Sequence, residues 1–220
     1  MSGAGGGVAG AGGGVAGMGG AAAVDGGVYA CEGLKPSTAL ITDFAVVDTL
    51  GAFTTTGGYS GRIFTYPATM TVAMTPTFSM AGTVSNYTGF GIYLSQCVDA
   101  SAYGGISFTV GGTVGSPATL MLQLKMNSTT PVSAATKHGA CIAKDPLNTY
   151  ADCWDPVAWV TVPATPATVT VRWAQFAGGK PAAAAVPSEI LGFQWSFNWA
   201  GATGVAYPVS VTLDDLTFVQ

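Results

Sequence analysis

The sequence predicts an all-β protein, a two-sheet antiparallel β-sandwich carried behind a Gly/Ala-rich tether. Three observations predict it. From residue 28 onward, short runs alternate apolar with polar residues at period two, recurring roughly every 8 to 20 positions. The runs are rich in Thr and Val and are separated by Gly, Pro, Ser, Asn and Asp, the residues that turn a chain. Only 8% of residues are charged while 49% are hydrophobic, too few Glu, Lys and Arg for long amphipathic helices.

Taken in order, the expected strands are ALITDFAVV (39–47), GRIFTYP (61–67), MTVAM (70–74), TFSMAGTV (77–84), GFGIYLS (89–95) and GISFTVGG (105–112). They continue with ATLMLQLKM (118–126), VAWVTVP (157–163), ATVTVRWAQF (167–176), ILGFQWSFNW (190–199) and VSVTLDDLTFV (209–219). About nine or ten strands and no helix longer than a turn or two are expected, closed by jelly-roll or Greek-key connections. Alternation assigns faces. Leu120, Leu122, Leu124 and Met126 share one side of their strand, and Met121, Gln123 and Lys125 share the other. Phe193, Trp195, Phe197 and Trp199 form a continuous aromatic face that a sandwich places in its core, which leaves Gln194, Ser196 and Asn198 to face outward.

The 220 residues suffice for one well-buried domain, assigned here to 28–220. Residues 1–27 repeat GAGGGVAG at 3–10 and 10–17 and carry one charge, Asp25. Such a segment cannot offset its ordering entropy by burial, so it reads as a flexible linker. It has no charged and apolar signal-peptide pattern.

Charge excludes some partners. With a net charge of -4 and seven Lys plus Arg spread from Lys35 to Lys180, no basic patch can neutralise a phosphate backbone, so nucleic acid is not expected. The mean hydropathy is positive, +0.43, yet no stretch of about 20 residues is uninterrupted by Gly, Pro, Thr or charge, so no membrane span is expected. Four cysteines, an even number, suit an oxidising compartment. Cys141 and Cys153 bound a short polar segment that one bridge closes, leaving Cys31 with Cys97; four reduced thiols are the alternative.

Catalytic residues are scarce. The one histidine, His138, lies in the loop sequence TKHGAC and reads as solvated, and no G-x-S-x-G, HExxH, phosphate-loop or dinucleotide motif is present. A glycoside hydrolase would need two opposed carboxylates. Asp152 and Asp155, flanking Cys153-Trp154, are close enough to share a site, although turn formation explains them more simply. Asp43 and Asp214-Asp215 lie in apolar runs near the two ends of the domain. If the first and last strands are neighbours, these acids could hold one Ca²⁺ with backbone carbonyls; the alternative is one Asp in solvent and the other bonded to a turn.

The ordered motifs ITDF (41–44), DASAYGGISF (99–108), a Cys-bounded loop, ATVTVRWAQFAGG (167–179) and LDDLTF (213–218) resemble those of galactose-binding-domain-like jelly rolls found as carbohydrate-binding modules and in bacterial surface proteins. The tether resembles linkers of secreted myxobacterial proteins. The resemblance covers about residues 39–220 and implies a jelly roll, a structural Ca²⁺ to which Asp43 and Asp214 would correspond, and a glycan groove on the concave sheet or at its loop rim.

Sugar rings stack on aromatic planes while their hydroxyls need amide, carboxylate or ammonium partners. Tyr93, Gln123, Lys125 and Gln194 are therefore the expected sheet contacts, with Tyr150 and Trp154 stacking at the rim. The expected function is non-catalytic binding of a polysaccharide or cell-surface glycan by a monomeric domain, secreted or held at the outer cell surface, for instance on a lipoprotein tether. The alternatives are a structural or adhesive module that binds no glycan, and a glycoside hydrolase or polysaccharide lyase.

Overall fold

The computed structural model describes residues 28–220 apart from 56, 68, 146 and 200–204. The expected tether, 1–27, lies outside the described residues. Twelve strands appear among those described: β1 (Leu40–Thr42), β2 (Ala52–Thr54), β3 (Ser60–Tyr66), β4 (Thr71–Ala73), β5 (Phe78–Val84), β6 (Gly89–Val98), β7 (Gly105–Thr113), β8 (Thr119–Met126), β9 (Val157–Thr161), β10 (Ala167–Arg172), β11 (Ile190–Phe197) and β12 (Tyr207–Val219). The helical elements among them are three single 3-10 turns, and no described helix is long and apolar enough to cross a membrane.

The strands form two antiparallel sheets packed face to face, a β-sandwich with jelly-roll crossovers. The platform sheet has the order β2-β3-β6-β11-β8-β9; the back sheet has the order β10-β7-β12-β5-β4, with β1 also paired to β12. Each inner face is the apolar half of an alternating strand. Phe90, Ile92 and Leu94 of β6, Leu120, Leu122 and Leu124 of β8, and Phe193, Trp195 and Phe197 of β11 are buried against Ile106, Phe108 and Val110 of β7 and Val211, Leu213 and Phe218 of β12. Trp195 is the hub: Phe90 stacks on it at 5.5 Å, and Phe108 meets it edge-on from the other sheet at 5.4 Å. Such aromatic pairs add about 0.5–1.5 kcal/mol to the burial of their area.

Both expected bridges form. Cys31–Cys97 anchors the chain entering the domain to β6, and Cys141–Cys153 closes a loop of the platform side. With sequence separations of 66 and 12, chain-entropy reasoning assigns them about 4 and about 3 kcal/mol.

Two expectations about strands need correction. The first strand does not run through 39–47: it ends at Thr42, because the Thr42 hydroxyl accepts the Phe44 N–H and the Asp43 carboxylate accepts the Ala45 N–H, bending the chain away from the ladder. Asp43 therefore sits exposed in a bend rather than inside an apolar strand. The short strand β2, in the Thr- and Gly-rich stretch GAFTTTGG, has too few residues for a visible period and went unread.

Candidate functional site: a cleft on the outer face of the platform sheet

The outer face of the platform sheet can be built rung by rung from its registers. One rung carries Arg62, Tyr93, Gly192 and Lys125 on β3, β6, β11 and β8; the next carries Phe64, Gly91, Gln194 and Gln123; a third carries Tyr66, Gly89, Ser196 and Met121. Glycine occupies the central strand of two rungs for a physical reason. A Cβ on Gly91 would collide with the Phe64 ring, and one on Gly89 with the Tyr66 hydroxyl. Without those side chains, the rings of β3 lie down over β6.

The result is a row of four aromatic rings along one side of the face. Tyr93 stacks on Phe64 at 4.7 Å, Phe64 neighbours Tyr66 at 6.2 Å, and Tyr66 stacks on Tyr87 at 4.9 Å. The two ends are open to solvent, Tyr93 with 45% and Tyr87 with 52% of its surface exposed.

Beside the row runs a bonded polar floor. Gln194 Nε2 donates towards Gln123 Oε1 at 2.7 Å and towards the hydroxyls of Tyr66 and Tyr87, each at 2.8 Å. An amide nitrogen has two hydrogens, so these three acceptors share them. Tyr66 in turn lies 2.8 Å from Ser196 Oγ. Burial drives the Tyr66 pKa far above that of an ordinary phenol, with the Ser196 bond opposing and Tyr87 reinforcing the shift. The phenol therefore stays protonated.

A charged pair closes one end. Lys125 Nζ lies 2.8 Å from Asp155 Oδ2, and Thr129 Oγ1 donates to Asp155 Oδ1 at 2.6 Å. Burial works against the lysine charge. The facing Asp155 carboxylate, with Tyr93 and Tyr87, outweighs it and leaves the Lys125 pKa raised.

The wall opposite the aromatic row is the loop bounded by Cys141–Cys153. Asp152 Oδ2 accepts the Lys144 N–H at 2.8 Å, and Trp154 exchanges backbone bonds with Lys180 at 3.0 and 2.7 Å, which hold the loop against the domain. Tyr150 and Trp154 meet edge-to-face at 5.9 Å on its inner side. Wall, floor and row enclose a cleft of about 290 Å³.

All six residues expected at the site, Tyr93, Gln123, Lys125, Gln194, Tyr150 and Trp154, line this one cleft. Their accessibility differs: Gln123 and Gln194 are 2% and 6% exposed and bonded to each other, so they form the floor, while Tyr93 and Tyr150 project. Sequence reasoning missed Phe64, Tyr66 and Tyr87. The alternation of GRIFTYP already puts Phe64 and Tyr66 on the face opposite Ile63, but nothing local says that this face lies over glycines of β6. Tyr87 sits in a turn without periodicity. The two acids around Cys153 part ways, Asp155 into the cleft and Asp152 into the wall's own turn. His138 is not solvated as expected: it is half-buried, and burial lowers its pKa despite an opposing bond to the Ser95 backbone.

At the far side of the domain, β1 does lie beside β12, with Thr42 opposite Leu216. Asp43 accepts its turn bond, while Asp214 accepts from the Thr77 hydroxyl at 2.8 Å and from the Asp215 N–H at 2.9 Å. Among the described residues, no group of three or more His, Cys, Asp or Glu gathers as metal ligands do.

No protein-family model matches the sequence, and no curated protein matches it. Solved structures do. The family 11 carbohydrate-binding module of a cellulosomal cellulase of Clostridium thermocellum superposes with a TM-score of 0.50 at 12% identity, covering 84% of this chain and 95% of that one. A family 11 module from the same organism, in complex with a β-1,3-1,4-mixed-linked tetrasaccharide, gives 0.50 at 14% identity, covering 82% of this chain and 94% of that one. At such identities the likeness shows the fold: the chain is a two-sheet jelly roll of the architecture those modules share.

Proposed function

We propose that the domain binds a polysaccharide or cell-surface glycan in the platform cleft without cleaving it. The observation that carries this reading is the convergence, in one cleft, of an exposed stacking row with a rigid hydrogen-bonding floor. Tyr93 and Tyr87 present ring faces to sugar C–H surfaces, Trp154 and Tyr150 approach from the wall, and Lys125 with Asp155 offers a donor and an acceptor to hydroxyls. A floor already bonded loses little entropy on binding. The carbohydrate-binding modules of the same architecture, one of them holding a tetrasaccharide, support the reading.

Binding is favoured over hydrolysis because Asp155 is the one carboxylate lining the cleft among the described residues, and it is committed to Lys125; a glycosidase needs a second carboxylate opposite the first. Two disulfides support an extracellular setting. Affinity electrophoresis through gels containing a panel of polysaccharides tests the proposal. Retention by at least one is expected, and free migration through all would refute it. Reducing-sugar release from the same panel would replace it with the hydrolase reading.

A structural Ca²⁺ held by Asp43 and Asp214 with backbone carbonyls is a separate proposal, supported by the pairing of β1 with β12 alone. Chelation is expected to lower Tm by several degrees, with recovery on adding Ca²⁺. An unchanged Tm would rule the ion out.

A further inference from the structure

A second and larger hollow, of about 730 Å³, adjoins the cleft. The two share Tyr93 and Thr130, so one ring of the aromatic row stands between them. Leu191, pushed outward by the irregularity of β11 between Ile190 and Gly192, floors the hollow, and the loop after β8 forms its far side. Asn127 pins that loop: its side chain accepts the Gly139 N–H at 2.8 Å and donates to the Tyr29 carbonyl at 2.7 Å.

The hollow differs from the cleft in charge. Arg62 and Lys137 line it, both exposed, and among the described residues no carboxylate does. The single salt bridge among the described residues is Lys125–Asp155, so neither Arg62 nor Lys137 is neutralised by a described acid. Cleft and hollow together therefore present three cations against one carboxylate, on a chain whose net charge is -4. Arg62 is oriented by its own Nε, which donates to the Leu50 carbonyl at 2.8 Å and leaves the terminal nitrogens of the guanidinium for a ligand.

Lys137 adds an independent sign. It holds a left-handed backbone, φ 53°, in a turn where its N–H bonds the Ser133 carbonyl at 2.9 Å. Glycine would relieve about 1 kcal/mol of strain there, yet the position carries a cation that lines the hollow.

Resting on the glycan-binding reading of the cleft, we infer that the hollow is a second subsite of the same groove and takes an anionic sugar, so that the ligand is an acidic polysaccharide. The rung that holds Arg62 and Lys125 sets the span. They stand three strands apart, roughly 14 Å at the usual strand spacing, so a short oligosaccharide crossing Tyr93 reaches both. A carboxylate and a sulfate ester share the chemistry that Arg62 reads, paired oxygens facing a planar fork of donors.

The test compares wild type with Arg62→Gln and Lys137→Gly in affinity electrophoresis against polygalacturonate, chondroitin sulfate and a neutral mixed-linkage β-glucan. Expected are stronger retention by one or both acidic polymers than by the glucan, weakening as salt rises, and a loss of about fivefold on the acidic polymer in each variant. Preference for one acidic polymer assigns the anion as carboxylate or sulfate. Retention by the glucan should fall less than retention by the acidic polymer in either variant. Lys137→Gly should melt no lower than wild type, which separates lost charge from lost fold. Equal retention by acidic and neutral polymers, unaltered in both variants, overturns the inference and leaves the cleft intact. Retention by no polymer at all overturns the binding reading and this inference together.

Discussion

The two sheets are alike inside and unlike outside. Inward, both present the apolar half of alternating strands, Trp195 and Phe90 from one meeting Phe108 and Leu213 from the other. Outward, the back sheet shows mostly small hydroxyls, with Asp214 and Arg172 among them: Ser79 on β5, Thr109 on β7, Thr168 and Thr170 on β10, and Ser210 and Thr212 on β12, paired across strands as Thr168 with Thr109 and Ser79 with Thr212. The platform sheet shows four stacked rings, a buried amide pair and an ion pair. Threonine suffices wherever a strand needs only to be a strand, since its branched side chain suits the pleat and its hydroxyl tolerates water. The stacked rings and the bonded amide pair on the other face have no structural necessity, because the back sheet folds without them.

The comparison can be broken or sharpened by substitution. The largest effect is expected in what the sheets share. Trp195→Ala should cost about 3–5 kcal/mol by urea denaturation, through transfer and cavity terms together. A cost below about 1 kcal/mol would mean that the inner faces are not one core.

Next comes the charged end of the cleft. Lys125→Met leaves Asp155 nearly buried with only Thr129 as partner, at a cost of about 2–3 kcal/mol. Lys125→Met with Asp155→Leu should recover most of that. The raised pKa of Lys125 sets the pH window: the pair's contribution is fully present below the ordinary lysine pKa near 10.5 and is lost as pH climbs through the higher folded value. A double variant as unstable as the single one would show that the pair is not a unit.

The smallest effect belongs to the back sheet. Thr170→Lys or Ser210→Lys should change stability by no more than about 0.5 kcal/mol and leave polysaccharide retention as in wild type. Lost retention would place the ligand on the wrong face.

How much of this was legible follows from what is local. Period-two alternation is a local property, and it locates eleven of the strands, β11 among them, whose Gln194 and Ser196 it places on the outward face. The bridge Cys141–Cys153 was legible because its span is short. Phe64 and Tyr66 were not recognised, because their role depends on Gly91 and Gly89 lying across the ladder in register, a pairing of residues about 25 positions apart. Asp155 was ambiguous for the same reason: its partner Lys125 is distant in sequence, and a loop Asp is by default a turn former. The bend that cuts β1 short was written locally, in the side-chain bonds of Thr42 and Asp43, but the apolar run ALITDFAVV masked it.

Tyr93 joins the regions that matter most, since its ring ends the aromatic row and stands between cleft and hollow while nearly half its surface faces solvent. The most direct measurement is the retention of Tyr93→Ala against wild type on whichever polysaccharide holds the wild type, with melting curves recorded alongside. A binding platform predicts a loss of about tenfold or more with the fold intact. Unchanged retention with an unchanged Tm would contradict it.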